Sequence, residues 1–259
     1  MPYPTLPRAV LGAVFALCLQ IAPAQAQLNR YVATFGNDAN NCTHQGLACL
    51  TLQRAQDVAP PGSKIIVLDS GDFGTVTITK SIAIVATGVH AKVDNGFGDK
   101  IFINAGPNDV VYLEGLAMGE NSPAAAKSGI QFNSGGRLHV RNCTIRNFGT
   151  AGILVRGGGA KRVFISDCTI ANNLHGVFVR PAGTGRSRVQ LDRVRIEGNL
   201  GNGIRAVGSG AIVRVSNSTI ANNNRGLAAL NNGKIVSFGN NAIIDNNVNG
   251  APTSTITLE

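Results

Sequence analysis

A glycine followed by an apolar-x-apolar triplet returns five times along the chain. The instances are Gly129-Ile-Gln-Phe132, Gly152-Ile-Leu-Val155, Gly176-Val-Phe-Val179, Gly203-Ile-Arg-Ala206 and Gly226-Leu-Ala-Ala229, at steps of 23, 24, 27 and 23 residues. Each triplet leads through a turn to a second alternating run: Leu138-His-Val140, Val163-Phe-Ile165, Val189-Gln-Leu191, Val213-Arg-Val215 and Val236-Ser-Phe238. A third short run follows two residues later, as Cys143-Thr-Ile145, Cys168-Thr-Ile170, Val194-Arg-Ile196 and Ser218-Thr-Ile220. An asparagine-rich turn, with Asn172-Asn173, Asn199, Asn222 to Asn224 and Asn246-Asn247, then leads to the next glycine.

A period of two is that of a strand, so each run turns two apolar side chains to one face and one residue to the other. Three such runs per repeat, joined by tight turns, trace a triangular coil. Successive coils stack at the ~4.8 Å spacing of hydrogen-bonded strands. No coil can bury its apolar residues alone, so the stack is the folding unit. The pattern predicts an all-β chain, a single-stranded parallel β-helix with three sheets and about seven coils, roughly 30 Å long. Ile145, Ile170, Ile196 and Ile220 should form one internal column. Asn142, Asp167, Arg193 and Asn217 occupy the turn between second and third runs. There, side-chain amides are expected to bond the turn backbone, with Arg193 breaking the relay.

Earlier coils are less regular. Lys100 to Ile103, Val110 to Leu113 and Leu116 to Met118 fit the three runs, and Ile65 to Leu68, Val76 to Ile78 and Ile82 to Val85 suggest a further coil. Thr51 to Ala59 has helical spacing and ends at Pro60-Pro61, as expected of an N-terminal capping helix over the open end of the core. Thr253 to Leu258 is expected to cover or extend the last coil.

The first residues read as a targeting signal. Arg8 supplies a positive start, Ala9 to Ile21 an apolar run, and Ala24-Gln25-Ala26 a small-x-small cleavage pattern. The expected organisation is a removed signal peptide at 1–26, a cap at 27–62 and the β-helix at 63–259, in a protein that is secreted or periplasmic. No later stretch is apolar enough for a membrane-spanning helix. In an oxidising compartment, Cys42 and Cys49 are expected to pair in their glycine-containing loop. Cys143 and Cys168, at equivalent positions of adjacent coils, are read as stacked inward thiols rather than a bridge or a metal pair. Whether the two are bridged stays open at this point.

Only 14 acidic residues stand against 23 basic ones, for a formal charge of +9 that falls to +8 without Arg8. A basic surface favours acidic partners such as uronate-containing polysaccharide or cell-envelope glycan. Nucleic acid is not expected of an exported chain without a groove-reading or base-stacking motif.

The repeat Gly-Ile-x-Val, Val-x-Ile-x-Asn-x-Thr-Ile, Asn-Asn resembles the exported, right-handed parallel β-helix proteins of the pectate-lyase-like (pectin lyase fold) superfamily. The stretch Cys49-Leu-Thr-Leu-Gln-Arg-Ala-Gln-Asp-Val-Ala-Pro-Pro-Gly62, with Ile65 to Asp69 and Val76 to Ile82 after it, is similar to their N-terminal cap and first coil. The resemblance covers nearly all of the chain after residue 26. It implies a right-handed helix but no single activity, because that fold carries lyases, hydrolases, esterases, epimerases and non-catalytic adhesins.

Hydrolysis on such a fold needs paired carboxylates, and elimination needs an acidic Ca²⁺ site with a basic proton acceptor. The resemblance places these on the first sheet and its flanks. The expected outward residues there are Gln131, Leu154, Phe178, Arg205 and Ala228, followed by Asn133, Arg156, Arg180, Val207 and Leu230, with no acid among them. His175 before Gly176 is a weak catalytic candidate without an acidic neighbour. Arg156, Arg180, Arg205 and Arg225, with Phe178, are candidate glycan-binding residues. No metal site is expected, and no cofactor, with Ca²⁺ relevant only to a lyase. Asp69 and Asp72 are too few for calcium. The sequence therefore points to a non-catalytic glycan- or cell-envelope-binding module. The alternatives are a polysaccharide lyase or hydrolase acting on acidic polysaccharide, and a structural or adhesive rod.

Overall fold

The structure is a computed structural model that describes Met1 and residues 28–94, 98–119 and 127–256. The signal-peptide reading lies outside these residues, as do Thr257 and Leu258. Three parallel sheets, of ten, seven and eight strands, wind around one apolar core. The five glycine-led runs, with Val76–Ile78 and Ile101–Asn104, form the seven-stranded first sheet. The second runs form the ten-stranded sheet, and the third runs the eight-stranded sheet. Seven strands in the first sheet correspond to about six full turns from first coil to last.

Register is set by stacking like on like. Ile145, Ile170, Ile196 and Ile220 pair in sequence, extended by Met118 below and Ile243 above. All four isoleucines are fully buried. This column also explains the glycine that opens each first-sheet run. A Cβ on Gly152 or Gly176 would stand 2.5 Å from the γ2 methyl of Ile170 or Ile196, and one on Gly203 2.7 Å from that of Ile220. Space, and not backbone conformation, requires glycine there, because the isoleucine of the following coil fills the side-chain position.

The asparagine ladder stands in the turn between third and first sheets. The Oδ1 atoms of Asn173, Asn199, Asn223 and Asn246 accept the backbone N–H of Phe148, Asn173, Asn199 and Asn223, at 2.9–3.0 Å. Each Nδ2 donates to the next asparagine's Oδ1 along the row, at 2.7–3.1 Å. Asn173, Asn199 and Asn223 are almost fully buried, so the relay satisfies groups that water cannot reach.

The expected amide relay in the turn between second and third sheets is thus corrected. Asn142, Asp167, Arg193 and Asn217 do take the left-handed conformation, with φ from 50° to 56°. Their N–H groups donate to backbone carbonyls of the following coil in the first three cases, and the expected amide relay holds only at the last, where the Asn217 N–H donates to Asn240 Oδ1 at 3.1 Å and Asn240 Nδ2 to Asn217 Oδ1 at 2.8 Å. Arg193 is tied instead by its guanidinium to Asp167, at 2.7 Å, and to Asp192.

A second correction concerns the first coil. Ile82–Val85 pairs with Val110–Glu114 in the second sheet and so opens the next coil. The third-sheet strand of the first coil is the two-residue Gly71–Asp72, too short for a periodicity to reveal. Helix Leu52–Val58 caps this end, with Thr51 Oγ1 accepting the Arg54 N–H and with Leu52 and Ala55 fully buried. An additional strand, Asn29–Val32, extends the second sheet beyond the first coil. The Cys42–Cys49 disulfide, with Cα atoms 5.2 Å apart, fastens the intervening loop. Asp69 is engaged by the Thr34 N–H and hydroxyl, and Asp72 by the N–H groups of Gly74 and Asp94. At the other end Ser254–Thr255 adds a short strand to the second sheet. Cys143 and Cys168 are buried and unbridged, both directed into the core.

The turn from first to second sheet carries no such ladder, and its length changes from coil to coil: two residues between Gly157 and Ala160, four between Pro181 and Arg186.

Two substitutions test the account. Gly203→Ala is expected to cost about 1–3 kcal/mol of unfolding free energy by overpacking. Asn199→Leu, which strands two buried donors of Asn173, is expected to cost about 2–5 kcal/mol. Chemical denaturation of each variant against the parent measures both.

Candidate functional site

The outward row of the first sheet runs Gln131, Leu154, Phe178, Arg205, Ala228, in register as the sequence predicts. Phe102 and Thr77 continue it toward the cap. Arg156 and Arg180 are direct neighbours in a second outward row. Both are exposed. A shallow groove of about 480 Å³ lies along this face, lined by Thr150, Leu154, Phe178, Arg156, Arg180 and the turn at 181–183. Among the described residues no carboxylate lines it. Leu154 is largely covered, so the groove floor is apolar and its far side cationic.

Arg205 does not join that pair. It stands in the row of Phe178, with its guanidinium 4.9 Å from the Phe178 ring centroid and Nη1 2.9 Å from His175 Nε2. Arg225 starts its strand beside Asn202, exposed and away from the groove. Of the five residues read as glycan-binding, the structure therefore gathers Arg156, Arg180 and Phe178 in one groove.

His175 begins a first-sheet strand and is 7% exposed. Its Nδ1 accepts the Asn202 backbone N–H at 3.1 Å, while Nε2 faces the Arg205 guanidinium. A neutral imidazole has one acceptor nitrogen, so either tautomer meets one of these donors with a donor of its own. A protonated ring would oppose donors at both nitrogens and lie against a cation. Burial, reinforced by the Arg205 charge, accordingly lowers the His175 pKa to about 4, against the Leu174 backbone contact that favours the charged ring.

One acid near this face escapes the sequence reading. Asp99 accepts the Ser128 N–H at 2.7 Å. Burial raises its pKa, opposed by that bond and by the charges of Arg156 and Lys127. Asp99 precedes the first-sheet strand of the second coil, and in the irregular early coils no glycine triplet marks the position. Ser128 pairs with Ala151, and Ala151 with His175, so Asp99 and His175 are three coils apart. At ~4.8 Å per coil this is about 14 Å of backbone separation. Among the described residues no group of three or more His, Cys, Asp or Glu side chains is placed to hold a metal ion. No described helix is long and apolar enough to cross a membrane.

The His175 titration is directly observable. Its imidazole resonances should titrate near pH 4 and not near 6.5. Because the unfolded chain binds this proton more readily, stability should fall as pH drops from about 6.5 towards 4 and level off below. His175→Gln should remove that share of the slope, measured by thermal unfolding across the interval.

Comparison with known proteins places these features. No curated protein matches the chain. Among solved structures, the crystal structure of pectate lyase Pel9A is similar, with 16% identity and a TM-score of 0.47, covering 81% of this chain and 67% of that one. A family model described as "Right handed beta helix region" matches residues 119–256. That match spans more than half of the sequence and coincides with the regular coils, and the chain belongs to the right-handed beta helix family.

Proposed function

We propose that this protein is an exported, non-catalytic module that binds an acidic glycan, of polysaccharide or cell-envelope origin, along the groove of the first sheet. The observation that carries the reading is the composition of that groove. Arg156 and Arg180 are adjacent across two coils, Leu154 and Phe178 supply an apolar floor, and among the described residues no carboxylate lines it. Guanidinium groups in a row suit carboxylates or sulfates along a polymer, and the aromatic edge suits the apolar face of a sugar.

Separation argues against glycoside hydrolysis. Paired catalytic carboxyls work at about 5–9.5 Å, and among the described residues lining the groove there is no acid to pair with Asp99. Its ~14 Å distance from His175 likewise prevents the two from acting on one bond. His175 is neutral at pH 7, as a base for elimination requires, but both ring nitrogens are occupied and the ring is buried.

Incubation with pectate and alginate, with and without Ca²⁺, separates the readings. Retention of intact polymer is the expected result, whereas new unsaturated or reducing ends would establish a lyase or hydrolase. Arg156→Ala with Arg180→Ala should weaken retention about tenfold or less, the scale of two exposed charge contacts, and unchanged retention would remove the groove from the account.

A further inference from the structure

The second sheet carries an outward face that the glycine repeat does not bring to notice. Arg137, Arg162 and Arg188 stand in direct register on three consecutive coils. Two residues along, a parallel row runs Tyr112, His139, Phe164, Gln190, Arg214. The strand spacing stacks its first three rings face to face: 4.4 Å between Tyr112 and His139 centroids, and 4.9 Å between His139 and Phe164, with planes 12° and 13° apart.

The stack stops at Phe164, because Gln190 takes the next position. A hollow of about 270 Å³ opens there, bounded by the outer face of Phe164, by Gln190, and by Arg162, Arg188 and Arg214. Phe164 is 37% exposed and Tyr112 47%. Among the described residues, none of Arg137, Arg162, Arg188 and Arg214 is in an ion pair. The pairs on this flank, of Arg141 and Arg193 with Asp167 and of Arg193 with Asp192, lie at the edge where the sheet turns into the third. Like charges opposite one another across strands repel, and nothing within the face offsets that repulsion. Burial and the Arg137 charge also keep His139 below its ordinary pKa, which favours the uncharged ring within the stack.

We propose that this face is a binding surface for a linear acidic polysaccharide lying along the rod axis. Its acid groups sit on the arginine row, and one sugar ring occupies the hollow against Phe164. The surface is distinct from the first-sheet groove and does not rest on it. Three guanidinium groups at the ~4.8 Å coil spacing present a donor to each successive charged unit of such a chain. The free face of Phe164 continues the stack for one apolar sugar face, with charge on three sides. Single-stranded nucleic acid fits less well, since it uses open ring faces for successive bases, and here Tyr112, His139 and Phe164 cover one another on all but the two end faces.

The full chain and its variants can be compared by affinity electrophoresis in gels containing polygalacturonate, alginate or dextran sulfate, with neutral dextran as control. Retardation by at least one acidic polymer and not by neutral dextran is expected. The triple variant Arg162→Ala, Arg188→Ala, Arg214→Ala should lose about tenfold in affinity, the sum of three exposed charge contacts. Gln190→Phe extends the stack into the hollow without changing charge, and should weaken binding several-fold while the cooperative unfolding transition is kept. The Arg156→Ala, Arg180→Ala variant should retain the contribution of this face, which separates its fate from that of the groove. Unchanged affinity in the triple variant would overturn the proposal, as would the absence of retardation by all three acidic polymers. Binding of single-stranded oligothymidylate more tightly than any of these polymers, and lost in the same variants, would assign the face to nucleic acid and equally overturn it.

Discussion

Everything in this molecule depends on one distance, the ~4.8 Å between hydrogen-bonded parallel strands, applied without register shift over most of the coils. In-register stacking makes each position of the repeat a row, and a row magnifies whatever residue it holds. Isoleucine becomes a continuous apolar column, asparagine a relay of buried amides, and arginine a line of charge. The same constraint requires glycine at the head of the regular first-sheet runs, since the isoleucine γ2 methyl fills the side-chain position there.

Inside, rows are self-supporting; outside, they are not. The Asn173–Asn199–Asn223–Asn246 relay runs from coil to coil, with the Oδ1 of Asn199, Asn223 and Asn246 each taking two donors from the preceding asparagine. The outward rows of arginine have no equivalent internal solution. A row of like charges is a standing electrostatic cost in the free protein, one that the proposed anionic ligand would relieve. The Arg205–His175 contact shows another way of meeting it, in which the neighbouring base stays neutral.

Much of this was legible in the sequence because a two-residue period and a repeat of 23 to 27 residues are both strong signals. The three sheets, the isoleucine column, the outward row Gln131 to Ala228, the capping helix and the Cys42–Cys49 pairing could all be read from spacing or compartment. Three things could not. The Gly71–Asp72 strand is too short for a period to show. Both asparagine-bearing turns look alike in one dimension, and only burial reveals that Asn173 and Asn199 form the relay while Asn142 serves the backbone conformation. The charged face of the second sheet was present as Arg137-Leu138, Arg162-Val163 and Arg188-Val189.

The turn from first to second sheet, unconstrained by any ladder, has a further consequence. It borders the groove on one side, through Pro181 to Gly183, and leads on the other into the strand that carries Arg188 of the arginine row. Chain length already differs between coils at this corner, where both faces meet, while the buried asparagine relay stands at another corner. Insertions grafted at that corner would raise a wall beside either face and convert an open platform into a selective cleft. The scaffold is rigid where it is folded and free where it would be refashioned.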